Sequence, residues 1–119
     1  MDDYMLTQKR FAYVQSLEIN LKRIVDRLGK IPEVRQAILF GSYAEGRRDL
    51  FTDLDIIVIM DSDMDFIQRT ANLYQVLNVG VDLDLLVYTP DEFDIMRTRG
   101  FVRHALESGE VIYAKPSSG

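Results

Sequence analysis

Phe40-Gly41-Ser42-Tyr43-Ala44-Glu45-Gly46, succeeded after a short spacer by Thr52-Asp53-Leu54-Asp55-Ile56-Ile57-Val58-Ile59-Met60, organises the whole chain. The first part reads as a strand that breaks at Gly41-Ser42 and passes into a short helical turn. Glycine admits a close approach to the backbone, and free N–H groups at a helix start favour an anion. The Ser42 hydroxyl adds one more donor. A Gly-Ser pair alone is more often a plain turn, so its meaning depends on the element after it. That element is a second strand, Asp53 to Met60. Its run from Ile56 to Met60 shows no alternation, so other elements must cover both faces. Residues two apart in a strand share a face, with Cα atoms about 6.5–7 Å apart. Asp53 and Asp55 therefore project together, and Ile57 and Ile59 carry their face inward. Carboxylates held in this way can grip Mg²⁺, which takes oxygen ligands and completes its shell with water and substrate phosphates. A solvated strand end is the plain alternative, and the apolar continuation of the same face argues against it.

Towards the C-terminus, a helix from about Asp65 to Leu77 leads through Gly80 to a third strand, Val81 to Tyr88. That unit is long enough for a parallel crossover. Parallel pairing would bring Asp82-Leu83-Asp84 to the rim that holds Asp53 and Asp55. One of its two carboxylates would then complete a metal site or take a proton from an attacking hydroxyl. Three carboxylates so placed suit two-metal phosphoryl or nucleotidyl transfer. Thr89-Pro90-Asp91-Glu92 starts a helix reaching about Arg97, with proline at its first position and acids in its first turn. A further helix, Phe101 to Glu107, closes at Gly109, and Val111-Ile112-Tyr113 forms a short last strand. Towards the N-terminus, Leu6, Phe11, Val14, Leu17, Leu21, Ile24, Val25 and Leu28 recur at helical spacing. They predict a helix with Gly29 as its C′ residue, then Pro32 and a first strand from Val34 to Phe40. The class is α/β, a small mixed β-sheet flanked by helices. One domain, 1–119, is expected: a helical segment 1–29, a core 33–113 and a loose tail 115–119.

Composition narrows the function. The chain has 119 residues, 47% of them apolar, which suits one globular domain. It has no cysteine, so disulfides and thiolate metal sites are excluded. No stretch reaches the ~20 apolar residues of a membrane span, and Met1-Asp2-Asp3-Tyr4 lacks the basic start of a secretory signal. A cytoplasmic protein without membrane contact is expected. The net charge is −5, and from Asp49 to Asp94 eleven acids face one base, Arg69. That acidic middle makes duplex nucleic acid a poor partner and suits divalent cations. Asp61-Ser62-Asp63-Met64-Asp65 opens like a calcium loop, but Phe66 and Asn72 stand where glycine and glutamate are required, so a helix cap explains it better. A single histidine, His104, leaves a Ser-His-Asp triad without support, and no Gly-Lys-Ser/Thr element of a P-loop exists.

Gly41-Ser42-Tyr43-Ala44-Glu45-Gly46 with Thr52-Asp53-Leu54-Asp55-Ile56 resembles the signature of the DNA polymerase β-like nucleotidyltransferases, most closely their minimal bacterial and archaeal members. Asp84-Leu85-Leu86-Val87-Tyr88-Thr89-Pro90-Asp91-Glu92-Phe93 resembles that group's third strand and its next helix. Glu107-Ser108-Gly109-Glu110-Val111-Ile112-Tyr113 resembles its close. The likeness runs from about Val34 to Tyr113. It implies a polymerase β-like core in which Gly41 and Ser42 hold a nucleoside triphosphate, with ATP the expected donor. It implies that Asp53, Asp55 and Asp84 are the catalytic acids that bind Mg²⁺ or Mn²⁺. Asp84 fits through its distance from Thr89-Pro90, and Asp82, on the same face, stays open as the third acid. Two departures are Glu45, where many members carry arginine, and Thr52 in place of a common serine. Arg47 or Arg48 could supply the missing charge, though solvated loop charges are the plainer reading. Small relatives act as antitoxins that attach AMP to a helical toxin of the HEPN type, so a partner protein is the expected acceptor. A docking module that keeps the fold without catalysis is the alternative; three gathered carboxylates, which repel one another without a cation, weigh against it.

Overall fold

The computed structural model describes residues 2–116. Its elements, in chain order, are α1 (Asp2–Gly29), β1 (Val34–Phe40), α2 (Gly41–Ala44), β2 (Leu54–Met60), α3 (Phe66–Leu77), β3 (Leu83–Tyr88), α4 (Pro90–Met96), α5 (Gly100–Glu107) and β4 (Glu110–Ala114). The four strands form one sheet in the order β3-β2-β1-β4. β1 runs antiparallel to both neighbours, while β2 and β3 are parallel, so α3 is the crossover that parallel pairing requires.

The unalternating run of β2 finds cover on both faces. Leu54, Ile56, Val58 and Met60 pack with Leu17, Ile24 and Leu28 of α1 and Leu73 and Leu77 of α3. Ile57 and Ile59 face the other way, against Phe93 of α4 and Val102 and Ala105 of α5. Asp55, two residues before Ile57, therefore lies on the α4/α5 side of the sheet.

α1 differs from expectation at both ends. It begins at Asp2, and Leu6 and Phe11, counted on the packed stripe, are 52% and 63% exposed. At about 1.5 Å per residue the helix is longer than the sheet it covers, so its first turns run past the core. Gly29 closes the helix from inside and is not among the positive-φ glycines. A Cβ there would meet the Tyr113 ring at 3.4 Å, an ordinary contact, so neither backbone angle nor space requires glycine at this position. The end of α1 is tied instead by Arg27, whose guanidinium donates to the Leu77 carbonyl at the C-terminus of α3. A cation suits that helix end.

The polar loops have structural work. Asp65 caps α3, its carboxylate accepting from the Gln68 amide at 2.8 Å, as expected for a loop that only mimics a calcium site. Thr89 and Glu92 form a capping box on α4, with Pro90 opening the helix. Glu92 also pairs with Arg69, the one base of the acidic middle. Arg69 is 4% exposed and donates further to the Met64 and Val87 carbonyls, so its charge is fully partnered. Of the expected tail, Lys115 is tied to the Arg35 carbonyl through its amide at 2.8 Å. Residues 117–119 lie outside the described residues.

Candidate active site

Strand register alone assembles the rim. Phe40, the last residue of β1, pairs with Asp55, and Asp55 pairs with Asp84 of β3. Directly after Phe40 comes Gly41, at φ +75, in the left-handed region that side chains resist. A Cβ on Gly41 would stand 2.3 Å from Asp55 Oδ2, well inside contact distance. The sequence assigns glycine here the task of admitting a phosphate. The structure adds a second reason, because the Asp55 carboxylate already fills the space a side chain would need. Ser42 comes next in the single turn of α2, half-buried, and no side chain caps that turn.

Asp55 and Asp84 stand side by side in the parallel register of β2 and β3 and line one cavity, close enough for a hydrogen bond between their carboxyls to raise the Asp55 pKa. Burial, then that hydrogen bond, then the charges of Asp84 and Asp53 push the Asp55 pKa up to about 6. Neighbouring carboxylates favour a proton below that pH and repel one another above it, which a cation would relieve. Asp53 precedes β2 and is half-buried. Asp82 stands one step before β3; its carbonyl accepts from the Leu54 amide at 3.1 Å and its side chain is exposed. The residue set beside Asp55 is thus Asp84 and not Asp82. Among the described residues, no three His, Cys, Asp or Glu side chains already stand as a metal cage. The donors are nonetheless all hard carboxylate oxygens, the chemistry that suits Mg²⁺ and Mn²⁺.

Two participants, Tyr13 and Tyr74, are not legible in the sequence, and the contacts of Thr52 are not either. Tyr13 of α1 donates its hydroxyl to the Thr52 carbonyl at 2.8 Å, which ties the long helix to the strand head. Its pKa is raised by burial and then by the charges of Asp82 and Asp53. Thr52 is fully buried, and its hydroxyl bonds both the amide (2.9 Å) and the carboxylate (3.1 Å) of Asp49. Tyr74 of α3 accepts the Leu85 amide of the edge strand at 2.8 Å. Arg47 and Arg48, the nearest replacements for an arginine at Glu45, serve the loop itself. Arg47 pairs with Asp49 at 2.8 Å, and Arg48 lies 3.5 Å over the Tyr43 ring.

A cavity of about 310 Å³ opens over the carboxyl pair, lined by Phe40, Asp55, Tyr74, Asp84, Leu86 and Phe101 among others. Larger hollows of about 510 and 540 Å³ share Asp61, Ser62 and Asp63, just past the other end of β2 from Gly41 and the pair. The smaller cavity is the one lined by both Asp55 and Asp84, and Phe40 on its wall directly precedes Gly41, which makes it the candidate site. No helix among the described residues is long and apolar enough to cross a membrane.

The family model described as polymerase beta, nucleotidyltransferase matches residues 22–118. A protein of Methanocaldococcus jannaschii named as a protein adenylyltransferase is 32% identical over 80 residues, covering 67% of this chain and 79% of its own. A solved structure described as a nucleotidyltransferase from Sulfolobus solfataricus superposes with a TM-score of 0.55 at 14% identity, covering 92% of this chain and 86% of its own. A toxin–antitoxin structure with AMP-PNP superposes with a TM-score of 0.53 at 25% identity, covering 81% and 74%.

Proposed function

Because the chain belongs to the polymerase beta nucleotidyltransferase family, we propose that it transfers AMP from ATP, with a divalent cation, to a hydroxyl of a partner protein. The observation that carries this reading is the Asp55–Asp84 carboxyl pair beside Gly41, with Asp53 adjoining. Asp53 and Asp55 would hold Mg²⁺ or Mn²⁺, joined by Asp84. Such an ion would offset phosphate charge and favour departure of pyrophosphate. Gly41 and Ser42 hold the β- and γ-phosphates through backbone N–H groups and the Ser42 hydroxyl. The acceptor oxygen forms a bond to the α-phosphorus as the bond from that phosphorus to the bridging oxygen of pyrophosphate breaks. The acceptor proton passes to the Asp84 carboxylate, which is exposed and so open to an incoming group.

A protein acceptor is favoured by the name of the M. jannaschii relative and by the toxin–antitoxin assembly of the AMP-PNP structure. A helical toxin of the HEPN type is the partner we assign. Intact mass measurement after pull-down tests this, since one adenylyl group adds about 329 Da to the acceptor, the bond being to phosphorus. A bound partner that gains no mass while RNA or a small molecule takes the label would overturn the protein acceptor and leave the transferase intact.

The carboxyl pair also predicts how stability depends on pH. The folded Asp55 pKa lies above the ordinary carboxyl value, so the folded state favours its proton. That contribution is complete below pH ~4 and is lost as pH rises through about 6. Mg²⁺ competes with the proton, so it should stabilise the chain more at pH 7.5 than at pH 5. At ten times its Kd the gain is about 1.4 kcal/mol, or roughly 5 °C in Tm for a domain of this size. Melting curves at the two pH values check it, and a metal response that is equal at both would place the ion away from Asp55.

A further inference from the structure

We infer that Phe101 is a stacking ledge for the base of the bound nucleoside triphosphate. This rests on the reading of the rim as a triphosphate site. Phe101 is the second residue of α5 and is 64% exposed, so most of its ring surface is free. It is nonetheless fixed, meeting the buried Phe40 ring at 5.8 Å between centroids and 80° between planes. That edge contact is a favourable geometry for two aromatic rings and holds the ledge against the last residue of β1. The backbone is set for it too. Gly100, at φ +31, turns the chain from the extended Arg99 into α5. Nothing lies within 4 Å of where a Gly100 Cβ would be, so glycine is needed there for the turn and not for space. The ring lines the same cavity as Asp55 and Asp84.

The geometry points to the base and away from the acceptor. In-line transfer puts the entering hydroxyl and the departing pyrophosphate on opposite sides of the α-phosphorus. Gly41 adjoins the end of β1, and Asp55 and Asp84 are the second residues of β2 and β3, so that axis runs along the rim. Phe101 lies to the α5 side of that rim, in edge contact with Phe40 at the end of β1. The nucleoside leaves the α-phosphate sideways, which brings its base to this ring. Every base has a π-face, so Phe101 favours nucleotides over bare polyphosphate without choosing among bases.

The chain contains no tryptophan, so Phe101→Trp creates a sole indole reporter on the ledge. With Mg²⁺ present, ATP should quench its fluorescence and inorganic tripolyphosphate should not. By calorimetry, Phe101→Ala and Phe101→Leu should both bind ATP about 5- to 150-fold more weakly, with tripolyphosphate affinity unchanged. The leucine keeps an apolar side chain against Phe40 and lacks only the π-face, so its loss separates stacking from packing. Native ATP affinity in both variants, or the same fluorescence response to ATP and tripolyphosphate, overturns the ledge alone. Failure of the native chain to bind either ligand overturns the triphosphate site itself, and the ledge with it.

Discussion

Replacing Asp53 and Asp55 together by asparagine lowers nucleotidyl transfer by at least about 10³-fold while the chain stays folded. Loss of a single preorganised charge-stabilising group already costs ~10²–10³-fold in rate, and here both proposed metal ligands go at once. The fold should tolerate the change because the carboxylates are a liability without metal. The Asp55 pKa, pushed up to about 6 by burial and by Asp84, means the ionised form is held at a cost above that pH. An asparagine amide can still donate to Asp84 without carrying charge. The double variant should therefore melt no lower than the native chain at pH 7.5 without metal, and should lose the Mg²⁺ response. Transfer rates with α-labelled ATP, taken with melting curves, check both halves. A variant that melts well but keeps its transfer rate would place catalysis elsewhere.

Gly41→Val should abolish detectable ATP binding while costing the fold far less. Two independent facts act against valine. A β-branched residue at φ +75 is a true backbone outlier, worth roughly 1–3 kcal/mol of strain. Its Cβ would also strike Asp55 Oδ2, displacing the carboxylate proposed to hold the metal. Strain of that size lowers Tm by several degrees in a domain of this length and leaves it folded at 25 °C. Calorimetry with ATP and Mg²⁺ measures the binding loss. If ATP affinity survives, the phosphates do not sit at the Gly41-Ser42 turn.

Much of the fold is legible in the sequence because local pattern determines it. β1 has its expected limits, and β2, α3, β3 and α5 begin within two residues of expectation. The unalternating run of β2 requires cover on both faces, and the two apolar clusters provide it. The meeting of Asp55 with Asp84 is legible through topology, since a strand–helix–strand unit of that length implies parallel neighbours. The illegible part depends on contacts between distant residues. Tyr13 reaches Thr52 across 39 positions, and Arg69 reaches Glu92 across 23. Nothing local marks either pair. Leu6 and Phe11 keep helical spacing yet stay exposed, because periodicity shows which face is apolar and not where the sheet beneath it ends. The clash that requires glycine at position 41 is equally a property of packing, invisible until Asp55 is set beside it.

The most direct test of nucleotidyl transfer tracks the fate of each phosphate. The chain, Mg²⁺ and a copurified partner protein would be incubated in parallel with ATP labelled on its α-phosphate and with ATP labelled on its γ-phosphate. Nucleotidyl transfer predicts stable label on the partner from the α-position only, with the γ-label recovered in pyrophosphate and no transfer by the Asp53→Asn, Asp55→Asn chain. Label passing to the partner from the γ-position, or α-label transferred equally by the native and doubly substituted chains, would contradict it.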